Sequence, residues 1–365
     1  MNCATAVSGG STRKVNRVGE LVDWDLAVRT AVRFASPGPS VTSEEARSVV
    51  ADLRWAAEAA VDPVARVTGL HCPPNSAETV VVDRPAWIRS AAEGFRWALA
   101  PSLEQMSSKS SGTVAAVGSR VSGMQLGAIL AWMSSKVLGQ YEAFHAPHER
   151  PRLLLVAPNI RSVEHTLELE PRDFRLWVAL HEETHRVQFG SVPWLADHLL
   201  SEVGSLLSIS DLSGDEVIAR LSSAIRSVGS GGSLVEALQG PEQQVVVDRL
   251  TALMSLLEGH ADHVMDVAAP ALIPSLPTIR ARFDARRTSP GAIEGLIRRL
   301  LGLDAKLRQY TEGAAFVRTV VDRVGMAGFN AIWTSAQTLP SLAEIREPLT
   351  WVERAHSTGF VVSGE

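Results

Sequence analysis

Between Pro171 and Gly190 the residues Phe174, Trp177, Val178, His181, His185 and Gln188 recur on one stripe at about 100° per residue, the signature of a helix with a buried face. Proline at the start, glycine at the end and Pro193 just beyond bound that helix. Whatever fold the chain adopts must therefore pack another element over two histidines. Within the stripe the chain reads His181-Glu182-Glu183-Thr184-His185. Histidines four apart share a helix face, so both rings can converge on one metal ion, and the glutamate between them can reach a metal-bound water. The pattern supplies a ligand pair, His181 and His185, and a general base, Glu182. Two core histidines that merely share this spacing are the plainer alternative. Glu183 projects about 180° from the midpoint of the two histidines, so it is expected to be solvated and clear of the metal.

A hydrolytic zinc site needs a third protein ligand and an open position for water. The source expected is Leu257-Glu258-Gly259-His260-Ala261-Asp262-His263, on a helical pattern that begins near Gln243. Glu258 and Asp262 lie one turn apart on a face shared with Thr251, Met254 and Met265, whereas His260 projects from the far side. Glu258 is thus the favoured ligand. Asp262 is the favoured residue behind it, orienting a ligating histidine through its other ring nitrogen. His260 or His263 as a third histidine ligand stays open as the competing choice.

The HExxH helix, Val192-Pro193-Trp194-Leu195, Glu258-Gly259-His260-Ala261 and Lys306-Leu307-Arg308-Gln309-Tyr310 together resemble a bacterial family of zincin-like proteins named as hydrolases or zinc-dependent metalloproteases. Some members are connected with biosynthesis of a deazaflavin cofactor. The resemblance runs from about Val22 to Val352. It implies a mainly helical zincin-like fold and a zinc ion held by His181, His185 and Glu258, with Glu182 as base. Glu183 departs from the usual uncharged residues between the ligands. An oxyanion stabiliser is also required. Only Tyr141 and Tyr310 are tyrosines, and Tyr310 falls in a segment carrying the resemblance, so it is the first candidate, ahead of Arg308, His260 and His263.

With 35 basic against 40 acidic residues there is no charge argument for nucleic acid. The arginines Arg280, Arg282, Arg286, Arg287, Arg298 and Arg299 read as a solvated helix face, with a site for a substrate carboxylate or phosphate as the alternative. The two cysteines, Cys3 and Cys72, form no CxxC pair, and His71-Cys72 reads as a loop or small-core element. Neither a secretory leader nor a bilayer-spanning run is apparent, so a cytoplasmic protein acting on a peptide or small-molecule substrate is expected.

The expected architecture is mainly α with a small β component, multi-helical, with two lobes around the metal helix. Residues 1–18 are expected to be disordered, and 19–365 to form one unit, divisible into lobes of about 19–190 and 191–365 with the cleft between them. Helical patterns are read at 24–35, 43–60, 84–100, 114–143, 193–208, 242–268, 275–288, 292–302, 303–325 and 341–355, with a flexible loop at Gly229-Ser230-Gly231-Gly232-Ser233. Gly118, Gly123 and Gly127 are expected either to permit close helix packing or simply to weaken the helix. Thr79–Val82 and Leu153–Val156 are the strand candidates. The second is expected either as a substrate-accepting edge beside the metal helix or as a buried core strand. The function expected is a zinc-dependent hydrolase of peptide or amide bonds. A metalloenzyme of cofactor or small-molecule metabolism and a silent zinc-stapled binding protein are the alternatives.

Overall fold

The computed structural model describes residues 21–73, 76–107, 113–145, 149–208, 241–288 and 303–357. In chain order the elements are α1 (Trp24–Phe34), α2 (Ser43–Thr68), β1 (Glu78–Val82), α3 (Arg84–Ser107), α4 (Thr113–Met133), β2 (Gly139–Tyr141), β3 (Arg152–Val156), α5 (Ala157–Thr166), α6 (Pro171–Ser191), α7 (Leu195–Ser208), α8 (Pro241–Ala268), α9 (Leu276–Thr288), α10 (Leu303–Phe329), α11 (Leu342–Arg346) and α12 (Pro348–Ser357). The fold is mainly helical with a small sheet, as the sequence led us to expect. The expectations for residues 1–18, 292–302 and the Gly229–Ser233 loop lie outside the described residues.

Several helix boundaries differ from expectation: α2 and α3 run on to Thr68 and Ser107, past the expected ends at 60 and 100, and other differences have a local reason. The pattern read as one helix over 114–143 stops at Met133, where the hydroxyls of Ser134 and Ser135 bond back to the carbonyls of Ala131 and Trp132 at 2.7 and 2.9 Å. The chain then turns into β2. The segment 341–355 is two helices, because Pro348 brings no N–H to continue the first. Within α10, Gly325 breaks the helical conformation at φ 71°, a region open to glycine at little cost.

The sheet has the order β1-β3-β2, with β1 parallel and β2 antiparallel to β3; Val81 and Gly139 both face Leu155. Leu153–Val156 is therefore the central strand and not an edge beside the metal helix. Its run of consecutive apolar residues is the reason, since a strand covered on both faces does not alternate. Leu155 joins a core with α2, α6 and the end of α8, whereas Leu154 and Val156 join one with α1, α3 and α4. The edge beside α6 is β2, whose Tyr141 ring stacks on Phe189 at 5.9 Å.

A third core is shared by Leu195 of α7, Leu253, Leu256 and Leu257 of α8, Phe316, Val317 and Val320 of α10, and Trp351 of α12. Here α8 and α10 cross with backbone against backbone. A Cβ on Gly259 would lie 2.2 Å from the carbonyl carbon of Gly313, and one on Gly313 would lie 2.0 Å from the carbonyl oxygen of Ser255. The same device holds α4 against α1, where a Cβ on Gly123 or Gly127 would lie 2.5 or 2.6 Å from the carbonyl oxygen of Asp23 or Ala27. Close packing is present at Gly123 and Gly127.

In a free helix Gly→Ala gains about 1 kcal/mol. At Gly259 and Gly313 the obstructing atoms are backbone, so the helices must separate, and overpacking of this kind costs about 1–3 kcal/mol or more. Gly259→Ala and Gly313→Ala should thus lower the urea midpoint. Gly204→Ala in α7, whose nearest neighbour is 3.8 Å away, should leave it unchanged or raise it. Equal stability of all three variants would contradict the crossing described.

Candidate metal centre

Helix α6 is held in place before it carries any chemistry. Pro171 occupies its first turn and the Glu170 carboxylate accepts the Asp173 N–H at 2.7 Å, a proper start for a helix. Arg175 grips Glu164 of α5 with two bonds of 2.7 and 2.9 Å and Asp52 of α2 with a third of 2.6 Å. The planar guanidinium suits such bidentate pairing. With α6 fixed at its N-terminal half, the stripe carrying His181 and His185 faces α8.

From α8 comes Glu258, and the three side chains meet. The two histidine Nε2 atoms are 3.1 Å apart, His181 Nε2 is 3.6 Å from one Glu258 oxygen, and His185 Nε2 is 3.8 Å from the other. Bonds of about 2.0–2.1 Å in a tetrahedron place ligand atoms about 3.3 Å apart, and the three separations bracket that value. The donors suit a zinc-class ion in kind as well, being two imidazoles and a carboxylate. The rings stand edge to face, 88° apart, so their Nε2 atoms converge instead of stacking. Among the described residues this is the one group of three or more potential metal-binding side chains within such reach.

Glu182 lies beside this group, buried, and burial pushes its carboxyl up to about 7, with His185 opposing the shift and Glu258 adding to it. The space it occupies exists because β2 begins with glycine: a Cβ on Gly139 would lie 2.5 Å from both Cγ and Cδ of Glu182. Gln188, fully buried, touches both sides of the centre. Its Oε1 is 2.9 Å from Nδ1 of His185, and its Nε2 is 2.9 Å from the Leu257 carbonyl oxygen and 3.1 Å from Nδ1 of His260.

The sequence profile of the zincin-like metallopeptidase family matches residues 22–352, nearly the whole chain. The chain belongs to this family. A zincin-like protein of this kind is also similar to a solved structure from Chloroflexus aurantiacus described as "a putative hydrolase with a novel fold", with 29% identity over 91% of this chain and 98% of that one, and a TM-score of 0.68. Among proteins of curated function none matches the chain. No helix of the described residues is long and apolar enough to cross a membrane.

In this zincin-like chain the other expected site residues fall as follows. Asp262 stands half-buried one turn beyond Glu258; of the two ligating histidines, His185 has its second ring nitrogen beside Gln188. His260 is not in the ligand group. It is buried against Phe329 and Trp333, ring centroids 5.2 and 5.5 Å away, and burial, with His263 and His185 nearby, pulls its pKa down to about 3. His263 is buried with its pKa lowered, chiefly by desolvation, and also stays outside the group. Tyr310 belongs to α10, but its side chain and that of Arg308 lie outside the described residues. Tyr141 packs on Phe189, and burial raises its phenol to about 12.

Glu183 departs from its expected solvation. It is buried and paired with Arg186 at 2.6 Å, because the last turns of α6 are covered by β2, Cys72 and Ser76. Burial still raises its pKa despite Arg186. Cys72 packs against this end of the helix, its Sγ 3.5 Å from the Arg186 carbonyl and from Ser191 Oγ, in the small-core role read from sequence. Of the arginine stretch, Arg280 pairs with Asp266 and Arg282 with Glu168. The side chains of Arg286 and Arg287 and all of Arg298 and Arg299 lie outside the described residues.

Sequence reasoning missed Gly139 and the bond partners of Gln188. The signal for Gln188 was present, since a polar side chain on a buried stripe one turn from a histidine needs a partner there.

The purified protein should bind one zinc-class ion, read by elemental analysis and chelator competition. His181→Ala, His185→Ala and Glu258→Ala should each weaken binding by more than the roughly 10- to 100-fold that loss of an outer partner costs. His263→Ala should not. Retention of the metal by all three ligand variants would remove the centre.

Proposed function

We propose that the protein is a zinc-dependent hydrolase that cleaves peptide or amide bonds. The observation that carries this reading is the convergence of His181, His185 and Glu258 with a buried carboxylate, Glu182, alongside. Bound there, a zinc ion would supply a water of lowered pKa and a positive charge for the carbonyl oxygen under attack. Glu182 takes the proton from that water and passes it to the departing amine. The surroundings of Glu182 suit both halves of the task, because a carboxyl raised toward neutrality can hold a proton and release it within one cycle. Three protein donors are the number that a catalytic zinc site draws from its protein, where a closed structural site draws four.

The substrate class is supported by the sheet edge. Among the described residues no strand pairs with the outer side of β2, which begins against Glu182 at Gly139 and runs along α6 to Phe189. An extended chain can add to such an edge by main-chain hydrogen bonds, which hold a peptide without regard to most of its side chains. Placed there, the scissile carbonyl would lie within reach of the base.

Two substitutions test the assignment of the base separately from the ligands. Glu182→Gln should keep zinc and lower turnover by roughly 10²- to 10⁴-fold, the usual worth of a positioned acid–base group. Gly139→Ala should also keep zinc, since it touches no donor, yet push the Glu182 carboxyl from its place and slow turnover in the same direction. Hydrolysis of a mixed peptide library followed by mass spectrometry gives the readout. A Glu182→Gln variant as active as the parent would exclude the proposed mechanism.

A further inference from the structure

We infer that Gln188 is the positioning residue of the centre: its side-chain amide fixes His185 in the tautomer whose free lone pair, on Nε2, points at His181 and Glu258. The inference rests on the proposed metal site for its purpose but on hydrogen-bond geometry for its content. A backbone carbonyl can only accept a hydrogen bond, so the atom of Gln188 lying 2.9 Å from the Leu257 oxygen is the NH₂ group. The second N–H of that group faces Nδ1 of His260 at 3.1 Å and donates to it. The amide orientation is thereby settled from the α8 side, and its oxygen must face His185. At 2.9 Å from that oxygen, Nδ1 of His185 is the donor. Nδ1 carries the proton, and Nε2 keeps its lone pair.

Packing alone does not account for this residue. Gln188 has no exposed surface, and burying an amide costs free energy unless each polar atom is bonded. An apolar side chain of similar volume would fill the same space without that requirement. What the amide adds is direction. It reads an acceptor on α8, next to the Glu258 ligand, and converts it into a donor requirement on α6. One side chain thus sets both the ring of His185 and the place of the Glu258 segment relative to it.

The inference has a test that does not need turnover. In metal-free protein labelled with ¹⁵N-histidine, long-range ¹⁵N–¹H correlation spectra distinguish the two tautomers, and the His185 signals are assigned by their loss in His185→Ala. The wild-type ring should show a protonated Nδ1 and an unprotonated Nε2. Gln188→Leu should give a mixture of tautomers and a zinc affinity lowered by roughly 10- to 100-fold in chelator competition. Gln188→Glu keeps an acceptor toward His185 and should retain the Nδ1-protonated form. An unprotonated Nδ1 in the wild type would overturn the inference, even if the Leu variant fails to fold. So would a Leu variant equal to the wild type in tautomer and zinc affinity. A wild type with the expected tautomer that binds no zinc would support the role of Gln188 and count against the metal centre alone.

Discussion

The crossing of α8 and α10 sets where everything else can stand. With glycine at 259 and 313 the two backbones touch directly, which brings α8 nearer to its neighbour than any pair of side chains would allow. That contact fixes α8 from behind. Its other face is then free to approach α6, and Glu258, adjacent to the contact glycine, reaches the two histidines. The arrangement is economical in residue types, because a helix glycine weakens its own helix but removes the steric barrier between two. Interhelical packing of this density transmits small shifts, so a displacement at Gly313 would be felt at Glu258.

Charge is buried around the centre at two different costs. Glu183 and Arg186 satisfy each other within α6, and such a pair contributes little net stability while becoming very costly if one partner is lost. Glu182, pressed on Gly139, is raised by burial and by Glu258, with only His185 opposing the shift. Two adjacent glutamates of the same helix therefore meet opposite environments. The first is held ready for proton transfer; the second ties the helix end to its covering.

Much of this was legible in sequence. The stripe from Phe174 to Gln188 marked the face of α6 that meets α8, although the helix is buried nearly all round, with Leu176, Ala179, Leu180, Thr184 and Val187 buried off the stripe. The four-residue spacing of Glu258 and Asp262 placed Glu258 toward the histidines. The short strand β2 was not legible. Three residues are too few to show a period of two, and the preceding apolar helix made Gly139 look like its continuation. The burial of Glu183 was invisible for another reason: its cover comes from β2, Cys72 and Ser76, far along the chain. Gln188 shows the intermediate case. Its position on the stripe was read correctly, but its partners, Leu257 and His260, lie on another helix, and long-range hydrogen bonds leave no periodic trace.

The antiparallel pairing of β2 with β3 places Gly139 opposite Leu155 and Gln140 opposite Leu154. Side chains alternate along a strand, so a slip of one residue would exchange the two faces of β2. Gln140 would then aim at the space now left by Gly139, and Glu182 would have to leave it. What opposes the slip lies on the far face of the sheet, where Trp87 of α3 donates its indole N–H to the Gln140 side chain at 2.9 Å. That bond is remote from the centre and makes no contact with it. It nevertheless acts as a latch on strand register, and through register it determines whether the proton-transfer group has room to stand.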